Sequence, residues 1–266
     1  MNDDYKILIG PVKNRRTFEE VSDRLKELIL NGTFKPGQQL PSENALAQLF
    51  HVGRQSVREA LRVLEISGFI STRPGIKGGA VIEGTVLSKL SNLFLDAFKF
   101  HRASLEDCLV TRRLVETAMI ELVLRNADQD DIENLRNNIE RAKAKLDKNA
   151  PAFEENLEFH RFLAKASKNY VLFIVMELLM SVYADFRIKA GSVKFQQSRA
   201  MIASHEALTN AIAEKNREET LKLLEKDMAL GGEILMGHRP ADSALNISDQ
   251  TGSSVSRKKL KIKQKD

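Results

Sequence analysis

Arg54, Gln55, Ser56 and Arg58 stand together behind Gly53, and these are residue types that read a DNA duplex. An arginine can donate two bonds to the O6 and N7 of guanine, worth ~1–3 kcal/mol of discrimination. A serine suits a phosphate oxygen, and Gly53 lets the backbone approach closely. Lys77, flanked by Gly75 and Gly78, suits the minor groove or its phosphates. A second group of chemistry-bearing residues lies far downstream. Arg112 and Glu116 are spaced to face each other on a helix. They make either an ordinary ion pair or, with the guanidinium turned away, a bidentate seat for a ligand carboxylate. Asn156 and His160 share a helix face by the same spacing, and His205 falls on a later helix. A lone histidine on an apolar face is usually a hydrogen-bonded core residue, so these need a context. His51 and His101 belong to no cluster, and Cys108 reads as packing.

The elements that must position these residues follow from periodicity. Residues 17–30 carry Phe18, Val21, Leu25, Leu28 and Ile29 at helical spacing, with Thr17 and Glu20 as a capping box. Lys35-Pro36-Gly37 is a turn. Ser42 caps a short helix with Ala45, Leu46 and Leu49 inward, and His51-Val52-Gly53 breaks it. Residues 54–67 form the next helix, with Val57, Ala60, Leu61 and Leu64 on one face and Arg54, Gln55, Arg58 and Arg62 on others. Residues 69–72 and 80–82 read as short strands around a glycine-rich tip. Three helices followed by a basic hairpin is the order of a winged helix-turn-helix. After residue 83 the pattern is helical: about 86–100, 104–126, 129–148, 151–167, 169–190, 196–214 and 217–235. The expected fold is therefore mainly α. A winged helix-turn-helix domain (residues 11–83) with a small β-hairpin wing precedes an all-α antiparallel bundle (84–237). A basic, disordered tail (238–266) follows.

Composition removes several classes. Of 266 residues only Cys108 is a cysteine, which excludes a disulfide framework and a thiolate zinc finger and suits a reducing cytoplasm. The most apolar run, 171–182, is broken by Glu177 and is far short of the ~20 residues that span a bilayer. The Met1-Asn2-Asp3-Asp4 start lacks the basic-then-apolar order of a signal peptide. No GxxxxGK[ST] or GxGxxG run occurs, so neither a nucleotide nor a redox cofactor is expected. The charge is +3 over residues 1–82, −2 over 83–236 and +4 over 237–266. The tail either adds non-specific attraction to DNA or merely solvates the C-terminus.

Three arginines on one helix are, in isolation, most simply a solvated face. The full set of motifs reverses that. Leu40-Pro41-Ser42-Glu43, Leu46-Ala47, the run from Val52 to Leu61, Leu64-Glu65 with Gly68, and the wing from Gly75 to Val81 resemble the DNA-binding domain of the GntR family of bacterial regulators. The resemblance covers about residues 17–82. It implies DNA contacts from Ser42, Asn44, Gly53, Arg54, Gln55, Ser56, Arg58, Lys77 and Gly78. Asn44 stands where the family often has a third arginine, which weakens or changes one contact.

The region from about 86 to 236 resembles the FCD ligand-binding domain of the FadR subfamily. Arg112-Arg113-Leu114-Val115-Glu116, Asn156 to His160 with Ala166-Ser167-Lys168-Asn169, and Ser204-His205-Glu206 with Ala211-Ile212 carry it. The resemblance implies an internal pocket in which a divalent metal, held by an Asp and three His, and a nearby Arg bind a small organic acid. Carried over position by position, the metal set reads Asn156, His160, His205 and Asp227. Asn replaces the Asp and Asp replaces the last His, so the ligand charge is kept while the carboxylate moves. Two imidazoles with oxygens suit zinc, manganese or nickel, and Arg112 is the expected ligand-binding residue. The expected function is a cytoplasmic, metabolite-responsive transcription regulator, not an enzyme. It would bind a pseudo-palindromic double-stranded operator as a homodimer, since two reading helices one DNA turn apart match two half-sites. The alternatives are an acyl-type effector without metal, or a metal-dependent enzyme using His160, His205 and Asp227. No further acid–base pair supports the last.

Overall fold

The computed structural model describes residues 16–75, 78–190 and 195–236. Lys77, residues 11–15 and the basic tail lie outside the described residues. α1 (Thr17–Leu30) buries Val21 and Leu25. Its start corrects one expectation: Arg16 is the N-cap, and its N–H donates to Glu19 Oε2 at 3.3 Å. Thr17 is already helical, so the reach-back falls to Glu19 rather than Glu20. α2 (Glu43–Phe50) begins as expected, Ser42 Oγ accepting from the Ala45 N–H at 3.2 Å. Leu49 does not face inward; it is 70% exposed. The inward stripe runs instead through Leu46 and Phe50, one turn apart, with Ala47 beside them. His51 takes a left-handed conformation (φ 53°) that turns the chain into α3 (Arg54–Ile66), whose Val57, Ala60 and Leu64 are buried.

β1 (Ile70–Arg73) and β2 (Gly79–Ile82) pair antiparallel, Ile70 opposite Ile82 and Arg73 opposite Gly79. A third segment, residues 37–40, joins the far side of β2. Leu40 N–H donates to the Ala80 carbonyl at 2.8 Å and Ile82 N–H to the Gln38 carbonyl at 2.9 Å. At the tip, a Cβ on Gly78 would lie 2.2 Å from the Arg73 carbonyl oxygen, so only glycine closes the hairpin. These elements share one core, centred on Leu25, Leu46, Val57, Leu64 and Ile82.

Among the described residues seven helices follow: α4 (Leu87–Phe100), α5 (Leu105–Asn126), α6 (Gln129–Asp147), α7 (Phe153–Ala166), α8 (Tyr170–Ala190), α9 (Phe195–Ala213) and α10 (Arg217–Met236). Reciprocal caps start two of them, Ser104 with Asp107 for α5 and Asp128 with Asp131 for α6. Their common core includes Met119, Ile120, Leu135, Phe159, Leu163, Met176, Met180, Leu208 and Leu224. Met176, Leu179 and Met180 of the apolar stripe on α8 are buried, and Leu172 and Val175 pack against that core. α4 buries no residue completely. It leans on α8, the ring of Phe98 edge-on to Phe186 and Lys99 Nζ 2.9 Å from Asp185. Among the described residues no helix is long and apolar enough to cross a membrane. The expected mainly α architecture, a winged helix-turn-helix followed by an α-helical bundle, is what the chain adopts.

Candidate functional site

Two places concentrate exposed or buried polar chemistry. The first is a groove of about 610 Å³ between the start of α2, the start of α3 and the wing. Ser42, Asn44, Arg54, Arg58 and Gly78 all line it. Gly53 is the N-cap of α3, with open space where a side chain would be. Gln55 is exposed and Ser56 half-buried on the first turn. The arginines are not loose. Arg54 Nε donates to Glu43 Oε2 at 2.9 Å, Arg58 NH2 to the same oxygen at 3.0 Å and Arg58 Nε to Oε1 at 3.3 Å. The bonds from Arg58 and then Arg54 hold the Glu43 carboxyl below the usual carboxylate range. Both guanidiniums stay more than half exposed. Sequence reasoning missed Glu43, Gln39 and Arg62 as parts of this groove. Gln39 Nε2 donates to the Gly78 carbonyl at 2.9 Å and ties the wing tip to the turn before α2. Only the three-dimensional turn brings Glu43 to arginines that follow it across a break in the helix.

The second place is buried among five helices. α5 supplies Arg112 and Glu116, α7 Asn156 and His160, α8 Tyr183, α9 His205 and α10 Asp227 and Gly231. Donor atoms of His160, His205 and Asp227 lie within 4.8 Å of one another, and all three residues are buried. His205 Nε2 is 3.4 Å from Asp227 Oδ1, and His160 Nε2 is 3.6 Å from Oδ2. Phe159 stacks on the His205 imidazole (centroids 3.8 Å, planes 7° apart) and fixes its orientation. Asn156 lines a cavity of about 50 Å³ with His205, Arg112, Tyr183 and Gly231. Of the expected metal set, three residues thus form a tight cluster, and Asn156 faces the cavity beside them.

Arg112 makes the first of its two sequence alternatives, the ion pair, and borders a cavity. It pairs with Glu116, Nε to Oε1 at 2.6 Å, in full burial, and it also lines the cavity. In addition its NH2 lies 2.6 Å from His160 Nε2 and 3.7 Å from Asp227 Oδ2. The same NH2 is 3.1 Å from His160 Nδ1, so it lies against the ring edge beside Cε1, and Nδ1 is itself 3.2 Å from Glu116 Oε2. The guanidinium carbon also stands 5.1 Å from the Tyr183 ring centroid. Burial alone would raise the Glu116 carboxyl; the Arg112 guanidinium first, with the contacts from His160, overcomes it and holds it at about 2. Burial raises Asp227 and pushes the His205 imidazole well below its ordinary value, the latter helped by His160 and Arg112. Burial also pushes the Cys108 thiol up to about 12, as befits an inert packing residue.

The donor chemistry fits a divalent metal. Asn156 Oδ1, His205 Nε2 and both Asp227 oxygens are buried with no hydrogen-bond partner, and such atoms are costly to leave unmatched. A neutral imidazole is also the form that ligates. His160 is the crowded member of the set, Arg112 NH2 lying against its ring 2.6 Å from Nε2 and 3.1 Å from Nδ1.

Comparison with known proteins matches this division. Residues 17–80 match bacterial regulatory proteins of the gntR family, and residues 107–229 match the FCD domain. Together these cover more than half of the chain, which belongs to the GntR family of bacterial regulatory proteins and carries an FCD ligand-binding domain. It is a transcriptional regulator rather than an enzyme. The HTH-type transcriptional repressor NanR of Klebsiella aerogenes is 28% identical over 233 residues, covering 84% of this chain and 89% of that protein. NanR of Escherichia coli strain K12 is 26% identical over 221 residues, with 82% and 84% covered. The solved structure of Streptococcus agalactiae GntR superposes with a TM-score of 0.64 at 24% identity, over 80% of this chain and 97% of that one, which speaks to the fold.

Proposed function

We propose that this chain is a cytoplasmic, FadR-type transcriptional repressor. It binds a pseudo-palindromic operator as a homodimer and is modulated by a small organic acid in the buried cavity. The DNA-binding domain would be residues 11–83 and the ligand-binding and dimerisation domain 84–237. Repression is favoured by the similarity to the NanR repressors. One observation carries the reading. The chain has two separate cores, one presenting exposed arginines in a groove and the other enclosing cationic and metal-type donors around a small cavity. A regulator needs both sites, coupled, in one chain.

Each side of the reading has support. Arg54, Gln55 and Arg58 would meet base edges, with Ser42, Asn44, Gly53, Ser56 and Gly78 near the backbone and Lys77 at the wing tip. His160, His205, Asp227 and Asn156 would hold zinc, manganese or nickel. When bound, such an ion supplies a Lewis-acid seat for a carboxylate or hydroxyl oxygen. Arg112 would pair with the acid's carboxylate. The cavity of about 50 Å³ holds only a few water-sized groups at 10–15 Å³ per probe sphere, roughly, which favours a short acid over a long acyl chain. For the homodimer, α4 presents Leu90, Leu93 and Phe100 in one stripe, 37%, 67% and 83% exposed, and exposed apolar stripes mark protein contacts.

A thermal-shift screen of short organic acids, with and without zinc, followed by operator binding with each hit, tests this directly. The expected result is a hit that raises the unfolding temperature and changes operator affinity. Acids that raise the unfolding temperature yet leave operator affinity untouched would contradict the coupling.

A further inference from the structure

α10 stands between two spaces. Gly231, Ile234 and Leu235 face the cavity of about 50 Å³. Gly232, Glu233 and Met236, on the other side of the same turns, face a surface pocket of about 410 Å³ that α10 shares with Leu109 and Val110 of α5. Arg112 and Tyr183 border both spaces. The end of α10 is therefore a partition, with Ile234 and Leu235 buried on its inner side. Two consecutive glycines lie one turn before that end. Glycine is the least favourable residue in a helix interior after proline, and packing requires it at neither position. A Cβ on Gly231 would lie 3.5 Å from Arg112 NH1 and 3.7 Å from Met201 Cε, and one on Gly232 3.6 Å from Leu109 Cδ2. All are ordinary contact distances, so the pair weakens the helix without any steric need.

We propose that Gly231-Gly232 is a hinge on which the last turn of α10, residues 233–236, swings to join the cavity to the surface pocket and admit the effector acid between α5 and α10. This deepens the reading of the cavity as the effector site and rests on it. The inner space has an atom to offer a ligand: His205 is buried there, and its Nε2 has no hydrogen-bond partner. The route suits an anion with an apolar stem. Leu109, Met228 and Met236 line the outer pocket, and Arg112 borders it as well as the cavity. A carboxylate arriving from outside thus meets the same guanidinium that would hold it inside. Of the acidic residues at the rim, Glu225 is already paired with Arg113, and Glu233 moves off with the turn. Helix ends that open locally cost far less than unfolding the whole bundle, and the two glycines lower that cost at this one end.

The test is iodoacetamide labelling of the full chain carrying Ile234→Cys, mapped by mass spectrometry, with each thiol's rate divided by its rate in the urea-unfolded chain. Cys108, buried on α5 and bordering neither space, is the internal control for opening of the whole bundle. The thiol introduced by Ile234→Cys should react at least roughly tenfold faster than Cys108. Adding Gly231→Ala with Gly232→Ala should slow it by roughly fivefold or more, the factor that one interior glycine-to-alanine exchange contributes to helix formation. Equal rates at the two thiols overturn the local opening. A fast thiol whose rate the two alanines leave unchanged overturns the hinge. If Ile234→Cys does not fold, Leu235→Cys, on the same inner side, takes its place. Labelling reports the opening without any acid present, so its failure is separate from failure of the effector reading, which the thermal-shift screen decides.

Discussion

Glu43→Gln isolates the part of the DNA-facing surface that the arginines do not provide themselves. Glu43 accepts hydrogen bonds from both Arg54 and Arg58, while all three side chains remain substantially in solvent. Exposed ion pairs add little to stability, so the unfolding temperature should move by no more than about 3 °C. The effect on DNA should be larger. Ordering one long side chain at an interface costs roughly two- to tenfold in affinity. Glu43 has already ordered two, so releasing both should lower affinity for the cognate operator by roughly 5- to 100-fold. Affinity for random duplex should rise slightly, because a carboxylate beside the phosphates is gone. The assay is fluorescence anisotropy on cognate and scrambled duplexes at one salt concentration, and the quantity read is their ratio. If Glu43→Gln binds the cognate site more tightly than the native chain, Glu43 quenches the arginines rather than aiming them, and the reasoning fails.

Arg54→Ala should cut cognate binding far more than random binding; equal losses would reduce Arg54 to a phosphate contact. Leu93→Glu combined with Phe100→Glu should shift the protein from dimer to monomer in analytical ultracentrifugation, and a persistent dimer would place the interface elsewhere. Glu116→Gln addresses pH. Glu116 sits at about 2 in the folded chain against an ordinary 4.5. Its lowered value contributes stability that is present above the unfolded value and lost as pH falls through the folded one. The native chain should therefore exceed Glu116→Gln in thermal stability at neutral pH. That gap should close between about 4.5 and about 2, and a gap that is constant with pH would assign the loss to packing instead.

The helix-turn-helix was legible because its signals are local. The Ser42 cap, the Val57, Ala60 and Leu64 stripe and the glycines of the wing all act within a few residues. Where signals compete locally the reading slipped, as with Thr17 against Arg16 and Leu49 against Phe50. The third wing segment at residues 37–40 had no strand pattern; it forms only because β2 offers an edge. In the bundle, the spacing of Arg112 and Glu116 offered their pairing as one of two alternatives. Their contact with His160 could not be read the same way, since it depends on how α5 and α7 pack. The same holds for Phe159 on His205, and for Glu43, whose partners lie across a turn.

The most direct test of the regulator reading is selection of duplexes from a random library by the full chain. The account predicts an enriched, two-fold-related motif whose half-sites lie about 10–10.5 base pairs apart or a multiple of that, absent when Arg54→Ala protein is used. Recovery of unenriched sequence at the same salt, equal for both proteins, would contradict it.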